Sequence, residues 1–173
     1  MKAKKALLLL LVCALALLVF TPAATAKPDE RPFKGVLTGE VWFTPGGELG
    51  LPPNPNPPFL YTVSEATGDV SHLGYTEMAG VHPAATDFAG QMVLTAANGD
   101  KVYVDYVGVG PNPQPGVPAT LRVTSHWTFA GGTGRFEDAS GSADSVAYLE
   151  FSGDLSSPEP LPAVWYFEGT IGY

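Results

Sequence analysis

Cysteine is nearly absent from this chain: Cys13 is the only one in 173 residues. It lies in the apolar run Ala6–Phe20, behind Met1–Lys5 with its three lysines, an order that reads as the n-region and h-region of a signal peptide. The run is shorter than the roughly 18–20 residues a membrane-spanning helix needs. It leads to Ala24-Thr25-Ala26, small residues suited to cleavage after Ala26. Val12 is too bulky for the position before a lipid-bearing cysteine, so Cys13 leaves with the leader. The mature domain, residues 27–173, then has no disulfide, and its 147 residues must be held together by a core. Its expected location is outside the cytoplasm, extracellular or periplasmic.

Basic residues are scarce as well. Without the leader's lysines, six Lys and Arg stand against seventeen Asp and Glu, a net charge of −11. Such a surface repels phosphate backbones, so nucleic acid is not expected as a partner. It keeps an exported protein soluble, and no membrane association is expected after the leader is removed. Metal-ligand spacing is missing too: His72, His82 and His126 form no HxxxH pair, and no metal is expected. Ser125 and Ser145 lack a GxSxG elbow and a histidine placed to activate them. Asn98-Gly99-Asp100 and Thr67-Gly68-Asp69 lack the repeated acidic spacing of calcium loops and read as turns. Neither a catalytic residue nor a cofactor emerges.

A sustained helical period is missing after Ala26, whereas alternation is widespread, so the domain reads all-β. From Phe33 to Thr44 one parity carries Phe33, Gly35, Leu37, Gly39, Val41 and Phe43; the other carries Lys34, Val36, Thr38, Glu40 and Trp42. Ala119–Ala130 aligns Leu121, Val123, Ser125, Trp127 and Phe129, and Ala163–Tyr173 aligns Trp165, Phe167, Gly169, Ile171 and Tyr173. Similar patterns mark strands near Phe59–Ser64, Asp69–His82, Thr86–Ala96, Asp100–Val109 and Gly141–Phe151, about eight in all. In Asp69–His82 neither parity is cleanly apolar, and a bulge or bend is expected near Gly74 or Gly80.

The connections fall into two kinds. Ala66-Thr67-Gly68, Ala97-Asn98-Gly99 and Gly131-Gly132-Thr133-Gly134 read as tight turns, whereas Pro45–Pro58, Pro83–Ala85, Gly110–Pro118 and Ser152–Pro162 are proline-rich loops. The two kinds alternate along the chain, so an up-and-down meander gathers every proline-rich loop at one end. That favours a single antiparallel β-barrel with a long-loop mouth over a two-sheet β-sandwich. Glycines on the core parity, among them Gly35, Gly39, Gly90, Gly141 and Gly169, permit the coiling a small barrel needs. The prolines stiffen the loops, a simpler reading than a PxxP surface for a partner.

The stretch Gly131-Gly132-Thr133-Gly134-Arg135-Phe136-Glu137-Asp138-Ala139-Ser140-Gly141 resembles the GGTGxFxxAxG hairpin of the dirigent and allene oxide cyclase-like (calycin-like) barrel superfamily, including exported bacterial members. Gly68–Gly74, Ala97–Asp100 and Phe167–Ile171 follow in the same order. The resemblance implies an eight-stranded barrel, often trimeric, with an apolar lumen that steers cyclisation or radical coupling without a bound cofactor. Its cyclases are associated with a buried carboxylate and a lumen cysteine. Here the mature chain has no cysteine, and Glu40, Asp144, Glu150 and Glu168 fall on outward parities. The fold is therefore carried over and the activity is not. Within the motif, Gly131, Gly132 and Gly134 are expected to supply positive φ. Phe136 is expected to face inward with Ala139 and Gly141 across a bulge.

The functional expectation is non-catalytic binding of a small apolar ligand at the long-loop mouth, or a structural envelope role. The alternative is a cofactor-free isomerase, cyclase or dirigent-type enzyme using the same lumen. The lumen candidates are Phe43, Tyr61, Tyr106, Ser125, Trp127 and Trp165. Outward parities gather Val146, Tyr148, Val164, Tyr166, Val36 and Trp42, an apolar patch that suggests self-association. At Ala97-Asn98-Gly99, a two-residue turn would put Met92 and Leu94 opposite the wrong face of the next strand. A three-residue loop with Gly99 in the left-handed region pairs Leu94 with Val102 and Met92 with Val104, so both apolar sets reach one core.

Overall fold

A computed structural model describes residues 29–56, 59–113, 119–151 and 159–173. The stretch expected to be a leader, its expected cleavage site and Cys13 lie outside them, as do parts of three proline-rich loops. Eight strands follow one another: β1 Arg31–Pro45, β2 Leu60–Val70, β3 Gly74–Pro83, β4 Asp87–Thr95, β5 Lys101–Pro113, β6 Thr120–Gly132, β7 Ser140–Glu150 and β8 Leu161–Gly172. Each pairs antiparallel with the next, and β8 returns to β1, closing an up-and-down barrel rather than a sandwich. Closure leaves no strand edge exposed.

Alternation decides which way each side chain points. Phe33, Leu37 and Val41 of β1 are buried, and Lys34, Thr38 and Glu40 are exposed. Asp144, Glu150 and Glu168 are likewise exposed. In β7 the inward residues are small, Ala143, Ser145 and Ala147; they stand opposite Trp127, Phe167 and Trp165 and leave those large rings room. Gly39 and Gly169 answer a different need, the close approach of a neighbouring strand's backbone. A Cβ on either would fall 2.5 Å from the Cα of Ala66 or Ala143.

The tight-turn end of the barrel is packed solid. Phe33 meets Phe129 edge-on at 4.8 Å and lies 5.4 Å from Phe167; Leu37, Leu73, Leu94, Val102 and Ile171 fill the space around them. The motif after β6 closes this end. Gly131, Gly134 and Gly141 have φ of +87°, +58° and +116°. Gly132 adopts no positive φ, but a Cβ there would lie 2.0 Å from the Lys101 carbonyl oxygen. A 3-10 turn, Gly134–Phe136, turns Phe136 inward to complete burial against Tyr173, with ring centroids 4.8 Å apart. The expected bulge between Phe136 and Ala139 is thus replaced by this turn, which resets the parity outside any strand. The register shift falls earlier, where Val102 pairs with Gly132 and Val104 with Phe129. Lys101 N donates to Thr133 Oγ1 (2.9 Å) and so ties this turn to the one before β5.

The three-residue loop at Gly99 forms as expected. Leu94 pairs with Val102 and Met92 with Val104, and Gly99 has φ of +87°. Gly99 N donates to Ala96 O, while Asn98 Oδ1 accepts from Asp100 N. No atom lies within 4 Å of a Cβ built at Gly99, so the demand there is conformational and not steric. Gly99→Val should lower stability by about 1–2 kcal/mol in urea unfolding, whereas Gly99→Asn, which tolerates the left-handed region, should cost less.

One turn lies elsewhere than the pattern suggested. Ala66-Thr67-Gly68 is not a turn but the middle of β2, and the chain reverses at Ser71–Leu73. Gly68 is required by crowding instead: a Cβ there would stand 2.2 Å from the Val36 carbonyl oxygen of β1. The reversal uses His72 and Gly74 at φ of +67° and +74°, with the His72 ring 2.9 Å from Pro32 O. The bend expected at Gly74 or Gly80 is therefore at Gly74, and β3 runs through Gly80 in register with both neighbours.

Candidate functional site

The mouth half of the barrel is hollow. A cavity of about 590 Å³ opens toward the long loops, above a floor made by Trp127, whose ring lies 4.7 Å from that of Phe167. Five of the six lumen candidates line it: Phe43, Tyr106, Ser125, Trp127 and Trp165. Tyr61 does not. It has the outward parity of β2 and is buried beneath the loop after β1, where its hydroxyl donates to Pro52 O (3.0 Å). Asn54 pins that loop, donating through Nδ2 to Leu60 O (2.8 Å) and accepting from Asn56 N. The alternation of β2 was too short to give Tyr61 its side, because strand and loop share the apolar burden at its start.

Sequence reasoning missed His82, Phe88 and Ser64, which also line the cavity. His82 shares the inward parity of Thr76 and Met78 on β3, but Gly80 interrupts that row, so the alternation reads weakly. Its imidazole stacks on Phe88 at 4.2 Å and meets Tyr106 edge-on at 5.8 Å. The remaining histidines lie elsewhere, His72 at the packed end and His126 on the outer wall, where Nδ1 is 2.7 Å from Asp144.

The polar side chains of the cavity are Thr62, Ser64, Thr86, Ser125, His82, Tyr106 and the Trp127 indole, whose Nε1 donates to Ser125 Oγ (2.9 Å). Ser145, directly across from Ser125, does not line it; its buried Oγ has no partner among the described residues. Burial pushes the Tyr106 phenol far above its ordinary pKa, so it stays protonated. Burial also holds the His82 imidazole below its usual value, against a smaller opposing pull from the Pro83 carbonyl. His82 Nδ1 lies 3.0 Å from that carbonyl, which can only accept. In the neutral ring the proton is therefore on Nδ1, and Nε2 is left as an acceptor.

The His82 shift has a consequence for stability. An unfolded histidine titrates near pH 6.5, whereas the folded one binds its proton at lower pH. Protons therefore favour the unfolded chain in that interval, and stability falls as pH drops below about 6.5 until the folded pKa is passed. Between pH 7.5 and 5 the melting midpoint of the wild type should fall further than that of His82→Phe, which keeps the stack on Phe88. Parallel curves would contradict the assignment.

Searches against family models, curated proteins and solved structures find no match. The molecule is defined by its own architecture: a closed eight-stranded antiparallel barrel, packed at the tight-turn end and hollow at the long-loop end.

Proposed function

We propose that this is an exported binding barrel that takes up a small, uncharged, largely apolar molecule through its long-loop mouth without chemically converting it. The observation that supports this reading is the composition of the cavity. Its volume of about 590 Å³ suits a small ligand, its wall is aromatic and aliphatic, and no Lys, Arg, Asp or Glu is among the described residues lining it. A charged ligand would lose its hydration there with no counter-ion to replace it. Export follows from the leader pattern Met1–Ala26, and kinship with the dirigent and allene oxide cyclase-like barrels rests on the Gly131–Gly141 motif. The enzymatic alternative is weaker because Glu40, Asp144, Glu150 and Glu168 all stand on the outer face. That outer face is charged and the lumen apolar, the reverse of a barrel that sits in lipid.

A homo-oligomer is a second element of this reading. Val36, Tyr166 and Val146 form one row across the outer faces of β1, β8 and β7, with Tyr148 packed edge-on to Tyr166 at 6.3 Å. Val36 and Tyr166 remain 45% and 46% exposed. Native mass spectrometry of protein purified from its own host tests both elements. The expected spectrum shows a small neutral adduct that is lost on collisional activation, on a species larger than one chain. A bare protein at every collision energy points to a structural role instead.

A further inference from the structure

We infer that the ligand of this cavity carries an accepting oxygen of the carbonyl type, and that the Tyr106 hydroxyl is the group that selects it. The inference rests on the binding reading above and adds the polar chemistry of the occupant.

The two buried tyrosines of the barrel differ in one respect. Tyr61, outside the wall, satisfies its hydroxyl on Pro52 O. Tyr106, inside, is 8% exposed and its hydroxyl has no partner among the described residues. It borders the cavity, so the empty side of that hydroxyl is where a ligand would sit. Among the described residues the fully enclosed unpartnered side-chain atom is Ser145 Oγ, so the Tyr106 oxygen is instead open to the cavity, where a ligand can reach it.

The wall around Tyr106 holds it in this pose. A Cβ on Gly90 would lie 2.7 Å from the phenol oxygen, and one on Gly80 would lie 3.6 Å from it. Two glycines on adjoining strands thus let the ring lie close against β3 and β4, while His82 and Phe88 close its other sides. Conversion of either glycine to a larger residue would push the hydroxyl off the wall.

Beside the acceptor His82 Nε2, the cavity offers donor protons from Tyr106 and from Ser125, whose oxygen already accepts from Trp127. A phenol is a stronger donor than acceptor because its lone pair is shared with the ring. A neutral carbonyl or ether oxygen complements this set; an ammonium has no counter-charge, and a carboxylate would meet no cation.

The test uses 9-fluorenone and fluorene, planar neutral probes of the same outline that differ by C=O in place of CH2. Equilibrium dialysis measures both against wild type and Tyr106→Phe. The variant should weaken fluorenone about fivefold relative to fluorene, with a melting midpoint equal to or above the wild type because it removes an unpaired oxygen. An unchanged ratio of the two affinities overturns the role of Tyr106 while leaving the binding reading intact. A lowered midpoint would show instead that the hydroxyl is structurally paired, which also overturns it. Failure of the wild type to bind either probe contradicts the binding reading itself, and this inference with it.

Discussion

Phe136→Ala is expected to lower the unfolding free energy by about 3–5 kcal/mol. Phe136 has no exposed surface and lies within the packed end, against Tyr173. The turn that carries it is fixed on two sides, by Thr133 on Lys101 and by the Gly131 N bond to Ala139 O (2.9 Å). The surroundings therefore cannot collapse into the gap, and the cost includes the cavity as well as the lost transfer energy. Phe43→Ala provides the contrast. That ring is only half-buried and already borders empty space, so its removal should cost well under half as much. Equal losses in guanidinium unfolding would mean that the two ends of the barrel are packed alike.

The second large effect concerns binding. Ala147 lines the cavity opposite Trp165. In Ala147→Phe the added ring competes with Trp165 for the room the alanine leaves it, so stability should fall by about 1–3 kcal/mol while the barrel still folds. The same ring takes the volume a ligand needs, so affinity for a neutral planar probe such as fluorenone should fall at least about tenfold. Equilibrium dialysis and thermal melts on the same sample separate the two readouts. Retained affinity would place the binding site outside the lumen.

Much of this architecture is legible in the residues. Alternation in β1, β6 and β8 gives the inward faces because each strand is long, with one apolar and one polar side. The register at Gly99 follows from the demand that Leu94, Met92, Val102 and Val104 share a core. Glycine was the ambiguous signal. At Gly99 it marks a turn, whereas at Gly68 it marks a strand pressed against a neighbour's carbonyl, and sequence spacing cannot separate a conformational need from a steric one. The turn after β2 carries its positive φ partly on His72, a residue that rarely announces a turn. The candidate site was only partly legible. The aromatic candidates on long strands, Phe43, Tyr106, Trp127 and Trp165, border the cavity, but Tyr61 sits at a strand end where a loop folds over the outer wall. His82 went unseen because Gly80 and Gly74 blur the alternation of β3. The vacancy itself depends on how small and large residues meet across strands, as Ala147 does with Trp165, and that is a property of register.

The most direct measurement of the central claim uses the three tryptophans as reporters. Trp127 and Trp165 line the cavity, and Trp42 lies on the outward parity of β1. Each indole N–H gives a resolved peak in a proton–nitrogen correlation spectrum, and Trp127 is distinguished by its bond to Ser125. Titration with 9-fluorenone should shift the Trp127 and Trp165 peaks in a saturable manner and leave Trp42 in place. Movement of Trp42 alone, or of none of the three, would contradict a lumen that binds ligand through its long-loop mouth.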